Sequence, residues 1–368
     1  MRLMPFKLER YFAQWEFTAS HLLCSSDVEP WRMADLLGLA DEDGRRRWET
    51  LSLGYTESLG LPALREEIAT LYSAVAPDEV LTFAGAEEGV FVLLNALLGA
   101  GDHAVVTWPA YQSLYEVARG TGADVTLLEL REETGWAFEV ESVEAALRPE
   151  TRLVVVNFPH NPTGALPGEP AFRALCALCE ERGLYLLSDE VYRLLEYAAE
   201  DRLPAAVDLG RRCISLGVMS KAFALAGLRI GWIACRDRAA LERIAAFKDY
   251  TTICNSAPAE VLALIALRAR DRVLARSRRI VLENLPHLDS FFERNRDRFA
   301  WVRPRAGPVA FPRLLGDEPI AHFSRRLLEA EGVLLLPGDV YEHPGNHFRL
   351  GFGRINLPQA LARLERFR

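Results

Sequence analysis

Short apolar runs alternate with longer amphipathic stretches through the middle of this chain, from about Glu79 to Cys235. The runs are His103–Thr107, Asp124–Leu130, Arg152–Phe158, Leu184–Ser188, Cys213–Gly217 and Ile230–Cys235. They have the length and branched side chains of buried strands. Between them, Glu87–Leu98, Tyr111–Gly120 and Glu169–Arg182 carry apolar residues at helical spacing. Alternation of this kind requires crossover connections and predicts a mostly parallel sheet with helices on both faces. Ligands of such sheets bind beyond the carboxyl ends of the strands. The residues just after each run are therefore the ones to examine.

After Pro258 the pattern changes. Ala259–Arg279 and Val281–Phe299 are predicted helices, followed by strands at Gly332–Leu336 and His347–Phe352 and a last helix from Pro358. The first 45 or so residues fit neither pattern and are expected to pack with the C-terminal part. The expected organisation is an α/β large domain at 46–255 and a smaller α+β domain built from 1–45 and 256–368.

Composition narrows the function. With 43 basic and 51 acidic side chains, the formal charge of -8 argues against a general nucleic-acid surface. No apolar run reaches the roughly 18 residues of a membrane span, and the opening MRLMPFKLER lacks the apolar stretch of a signal peptide. Six cysteines in 368 residues make no disulfide framework. A cytoplasmic protein without nucleic-acid or membrane partners is expected. One count matters more: only Lys7, Lys221 and Lys248 are lysines, and the other basic residues are arginines. Chemistry that needs an amine has few candidates here.

Lys221 follows the strand-like CISLG in GVMSKAFALAGLRIGW, with Ser220 beside it and Arg229 eight residues on. Its amine is expected at the ligand-binding edge, where burial would depress its pKa and make it a nucleophile toward an aldehyde. The alternative is a surface loop lysine. Lys248 is expected on a helix surface and Lys7 in a mobile terminus. Asp189 ends the run LYLLSD, where a buried acid needs a cationic or hydrogen-bonding partner. A protonated pyridine nitrogen would supply one, with Tyr192 three residues on as a phenol donor; a helix N-cap is the other reading. Asn161 lies in NFPHNPTG after RLVVV, where the Pro-Thr-Gly turn fixes its amide. His160 beside it is expected to be a packing or solvent histidine. In TFAGAEEG, a turn leads into a helix whose first N–H groups suit a phosphate. The contacts are expected from backbone near Gly85, Ala86 and Glu87, with the carboxylates turned away and Arg229 adding a charge-assisted bond.

Together these segments resemble the class I/II (fold type I) pyridoxal-phosphate-dependent aminotransferases. The order GAEE, PAY, NPTG, SDEVY, SK and GLR, followed by a late arginine, matches from roughly Tyr55 to Arg354. The resemblance implies that Lys221 holds pyridoxal phosphate as an imine, with Ser220 in the same cofactor site. It implies that Asp189 pairs with the pyridine nitrogen, that Asn161 and Tyr192 contact the ring's phenolic oxygen, and that Arg229 contacts the phosphate. It places Tyr111 as an aromatic stacked on the pyridine, where the residues alone suggest a core aromatic. It also implies that the Tyr55 phenol crosses a homodimer interface to the partner's phosphate. Arg349, rather than its neighbour Arg354, is expected to grip the α-carboxylate bidentately, next to Asn161. The implied reaction moves an amino group between an L-amino acid and a 2-oxo acid by a ping-pong mechanism. Two departures stand out: Val218 occupies a position often held by a phosphate-binding serine, and LLCSSDVEPW lacks the usual small-residue pattern.

Other readings are open at this stage. The same fold and cofactor serve lyases and cyclases, some acting on modified arginines, and Asp27 and Glu29 could read a guanidinium or be surface or capping acids. A nucleotide-dependent oxidoreductase is suggested by Gly99-Ala-Gly101, but that segment follows a helix and precedes a strand, the reverse of the fingerprint's context. Cys176 and Cys179 on one helix suggest core packing, and His343 and His347 a loop beside the site rather than zinc. The six arginines from Arg268 to Arg279 suggest a solvated helix face.

Overall fold

The structure, a computed structural model, describes residues 2–367. Seven strands form the central sheet: β1 (Val80–Phe83), β2 (His103–Trp108), β3 (Asp124–Glu129), β4 (Thr151–Asn157), β5 (Tyr185–Asp189), β6 (Cys213–Val218) and β7 (Gly231–Cys235). Their order is β1-β7-β6-β5-β4-β2-β3. All neighbours are parallel except β7, which is antiparallel to both β1 and β6. Side-chain alternation divides the interior between two faces. Leu153 and Val155 of β4 join one core with Leu93 and Leu94 of α2 (Ala86–Leu97), whereas Val154 and Val156 join the other with Leu175 and Cys179 of α4 (Glu169–Glu181). α3 (Ser113–Gly120) packs beside α2 on the first face. The strand β1 escaped the sequence reading because its four buried residues merge with the turn that follows.

In the C-terminal part, β8 (Val309–Ala310), β10 (Phe348–Gly351) and β9 (Leu336–Pro337) form an antiparallel sheet in the order β8-β10-β9. The N-terminal segment runs alongside it: His21–Leu22 pairs in parallel with Val333–Leu334 as a separate two-stranded sheet, and the Gly351 N–H donates to the Leu23 carbonyl. The helix α1 (Lys7–Trp15) bridges outward from there. Its Tyr11 hydroxyl donates to the Leu335 carbonyl, while the Lys7 N–H donates to the Gln112 side chain. Lys7 also pairs with Glu342 at 2.9 Å, so it belongs to an anchored helix and not to a mobile end.

Three further expectations are corrected. The helical region after Pro258 breaks at Ala269, not near Ile280: α6 (Ala257–Arg268) is almost wholly buried and α7 (Arg270–Arg294) runs through Ile280, which packs in the core. Phe299 then starts a short strand paired with Arg313–Leu314. The arginines around that break are not a free solvated face. Arg268 pairs with Asp43, Arg270 donates to Thr70 Oγ1, and Arg276 donates to the Glu29 carbonyl while stacking over Trp31. Lys248, last residue of α5 (Arg238–Lys248), is buried, not on the surface. Its ammonium donates to the carbonyls of Ser58 and Ile253 and lies over the Phe83 ring.

Candidate active site

The carboxyl ends of β4, β5 and β6 open into a cavity of about 370 Å³, walled on the other side by α1, residues 25–27 and Arg349 of β10. Asn157 and Asp189 end adjacent strands and sit opposite each other in the register. The Asn157 amide donates to the Asp189 carbonyl (2.9 Å), and its oxygen accepts from the Asn161 N–H (2.7 Å). One side chain thus pins both the strand end and the turn that carries Asn161.

Asp189 is 7 % exposed and faces the cavity. Burial raises its pKa to about 7, a shift that the hydrogen bond from the Val191 N–H and the charge of Lys221 reduce only in part. A group whose folded pKa lies above its ordinary 3.8 contributes stability that is fully present below that value and lost as pH rises through about 7. In the cofactor-free protein, Asp189→Asn is therefore expected to raise the melting temperature by roughly 3–6 °C at pH 8 and by much less at pH 4, because the neutral amide removes a buried anion. Thermal melts of both proteins across that range check this.

Lys221 lies just beyond β6 and lines the cavity, where burial lowers its pKa to about 8. Its amine donates to Ser26 Oγ (2.8 Å) and lies over the Tyr192 ring. Tyr192 is itself buried in the cavity wall. Arg349 is 2 % exposed, yet no carboxylate stands within ion-pairing distance of it among the described residues. Its guanidinium donates to the Cys24 carbonyl (3.0 Å), Asn161 Oδ1 (3.2 Å) and the Tyr341 hydroxyl (2.7 Å), all neutral acceptors. Tyr341 in turn donates to Asn161 Oδ1, which leaves the Asn161 NH₂ free toward the cavity.

At the other end, α2 starts at Ala86, and its first-turn N–H groups have no carbonyl within the helix. Arg229, in the left-handed region at φ 52°, donates to Ser220 Oγ (3.3 Å) and lines the same wall as Val218. Gly85 does not act as a free donor, since its N–H is spent on the Phe83 carbonyl (2.8 Å). Its contribution is clearance: at φ +91°, an added Cβ would run into the Arg229 guanidinium. The expectation for Glu87 also needs correction. Glu88 turns away to Thr251 and Thr252, but the Glu87 carboxyl lines the cavity, accepts from Ser113 Oγ (2.9 Å), and has its pKa raised by burial to about 7. A proton on it removes the conflict with an anion that the sequence suggested.

Tyr111 also lines the cavity, with its hydroxyl donating to Glu9 of α1 (2.8 Å). Tyr55 does not join these residues; its side chain is 93 % exposed on the segment before Pro62. Arg354 is held by Asp27 (2.9 and 3.1 Å), and Glu29 caps the Ile355 N–H. His160 is a packing residue bonded to Thr163, with burial lowering its pKa to about 3. Cys176 and Cys179 are buried thiols on α4, and His343 and His347 pack against Trp136 and Phe311. No metal-binding cluster occurs among the described residues. Sequence reasoning missed Tyr341, Ser26, Glu9 and Glu16, which come from the chain's ends. It quoted Asn157 without assigning it, although a polar residue closing a buried strand was a usable signal.

The class I and II aminotransferase family model matches residues 49–364. The chain is 31% identical to a capreomycidine synthase from Streptomyces vinaceus, over 97% of this chain and 92% of that one. A PLP-dependent aminotransferase from Streptococcus suis 89-1591 superposes with a TM-score of 0.94 at 30% identity, covering 100% and 98% of the two chains. The PLP-dependent cyclase OrfR superposes with a TM-score of 0.89 at 29% identity, covering 100% and 97%. Fold, site and likeness converge: the chain belongs to the class I and II aminotransferases, a pyridoxal-phosphate-dependent family.

Proposed function

We propose that this enzyme transaminates an L-amino acid against a 2-oxo acid, with Lys221 as the amine that holds the cofactor and later moves the substrate's α-proton. One observation carries this reading. The Arg349 guanidinium, buried among neutral acceptors only, faces the same cavity as the Lys221 amine. A buried cation without a counter-charge is costly. A substrate α-carboxylate would relieve it while setting the substrate's Cα beside the lysine.

The residues present fit pyridoxal phosphate. Asp189 is a buried carboxyl with no ion pair among the described residues, so a protonated pyridine nitrogen would restore its ionised form. The free Asn161 NH₂ and the Tyr192 hydroxyl would serve the ring oxygen; Tyr111 would lie against the ring face. Arg229, Ser220 and the first turn of α2 would hold the phosphate. Bound there, the cofactor would supply the electron sink that lets an α-proton leave. Arg349 fixes the substrate's carboxylate. Lys221 Nζ, with its pKa near 8, is partly neutral at physiological pH and accepts the α-proton. α1 forms part of the cavity wall through Leu8, Glu9 and Phe12. Gly85→Ala is expected to weaken pyridoxal-phosphate binding about tenfold or more, because the new methyl displaces Arg229 and a left-handed alanine is strained. An absorbance titration of the cofactor-free variant measures it.

A second reading, cyclisation or elimination from the same substrate anchoring, is supported by the likeness to OrfR and by the way residues 7–27 enclose the cavity. Single amino acids without an acceptor separate the two. Stoichiometric release of a 2-oxo acid supports transamination; ammonia or a cyclic product without oxo acid overturns it. We propose further that the active unit is a homodimer, with 1–45 and 256–368 as the smaller domain of each copy. Exposed Tyr55, Leu53 and Tyr250 support an interface, and sedimentation of a monomer would contradict it.

A further inference from the structure

Among the described residues the cations lining the cavity are Lys221, Arg229 and Arg349, and the proposed function engages each of them. The acids lining it are more numerous: Asp189, Glu87, Glu9, Glu16 and Asp27. Asp189 would face the pyridine nitrogen, Glu87 is hydrogen-bonded by Ser113, and Asp27 is paired with Arg354. Two acids are left over. Glu9 has only the Tyr111 hydroxyl, and the Glu16 carboxylate has neither hydrogen bond nor ion pair among the described residues. Both come from α1 or its C-terminal cap, the wall that closes the cavity. Ser25 lines the same cavity at 5 % exposure, and its hydroxyl has no hydrogen-bond partner among the described residues. Burial and repulsion from Asp27 and Glu9 raise the Glu16 pKa, a shift that the charges of Arg354 and Arg349 offset only in part.

We propose that the substrate's side chain is cationic, and that Glu16, Glu9 and Ser25 receive its guanidinium or ammonium at this wall. The proposal rests on the reading that Arg349 anchors the α-carboxylate. A neutral side chain would leave two partly desolvated carboxylates uncompensated, and an anionic one would add repulsion. Buried hydroxyl and carboxylate acceptors together suit a donor-only group, which both cations are. Among the described residues no cation is left for an acidic side chain here: Arg349 would be engaged by the α-carboxylate, and Arg354, outside the lining, is held by Asp27.

The test is titration of the holoenzyme with arginine, lysine, citrulline, norleucine and glutamate, following the cofactor's absorbance change. The expected result is a response to arginine or lysine at concentrations about tenfold or more below those for their neutral counterparts citrulline and norleucine, with glutamate weakest. The arginine-to-lysine ratio tells guanidinium from ammonium. Glu16→Gln is expected to shrink the cation preference to about threefold or less. Equal responses to arginine and citrulline, a preference for glutamate, or an undiminished preference in Glu16→Gln would overturn the cationic subsite while leaving the anchoring by Arg349 in place. No response to any of the amino acids would overturn both.

Discussion

Lys221→Ala, purified and then supplied with pyridoxal phosphate, should show no protein-linked visible absorbance and should lose turnover by about 10⁴-fold or more, since it removes both the covalent anchor and the base. The reason is local. Among the described residues the amine is the only lysine nitrogen lining the cavity, and its lowered pKa keeps part of it unprotonated. Lys248 cannot substitute, because its ammonium is tied down by the carbonyls of Ser58 and Ile253. Lys7→Ala is the control. Its exposed ion pair with Glu342 contributes less than about 1 kcal/mol, so absorbance and turnover should persist. A Lys221→Ala protein that stays coloured and active would remove the basis of the mechanism.

Arg349→Lys carries the second large effect. The guanidinium holds three neutral acceptors at once, which a single ammonium cannot do in the same plane. We expect kcat/KM to fall by about 100- to 1000-fold, mainly through KM, while cofactor absorbance remains. Arg354→Gln should cost less than about tenfold, since that side chain is engaged with Asp27 and lies outside the cavity lining. Equal losses from the two substitutions would assign the carboxylate to the wrong arginine.

These residues also show what could be read without coordinates. The inner parallel strands were legible because they are buried on both faces, which produces continuous apolar runs such as LVVV before Asn157 and YLLS before Asp189. Crossover topology then put the ends of those runs at one edge, so Asp189, Asn161 and Lys221 could be placed together before any distance was known. Contacts made by the chain's ends were not legible. Glu9 and Glu16 reach the cavity only because α1 is clamped by Gln112 and Leu335, and no periodicity encodes that docking. Tyr341 was hidden for the same reason. Its role depends on β9 and β10 bringing residues 341 and 349 to Asn161. Lys248 misled because its helical position looks polar; residues 58 and 253 fold over it. The break at Ala269 was obscured because α6 is apolar on nearly every side, which leaves no stripe to lose register.

The anchoring amine can be identified directly. Borohydride reduction of the pyridoxal-phosphate-loaded enzyme, followed by peptide mass mapping, should place one pyridoxyl adduct on the peptide containing Lys221 and none on those with Lys7 or Lys248. An adduct on either of those lysines, or an unlabelled protein, would contradict the account.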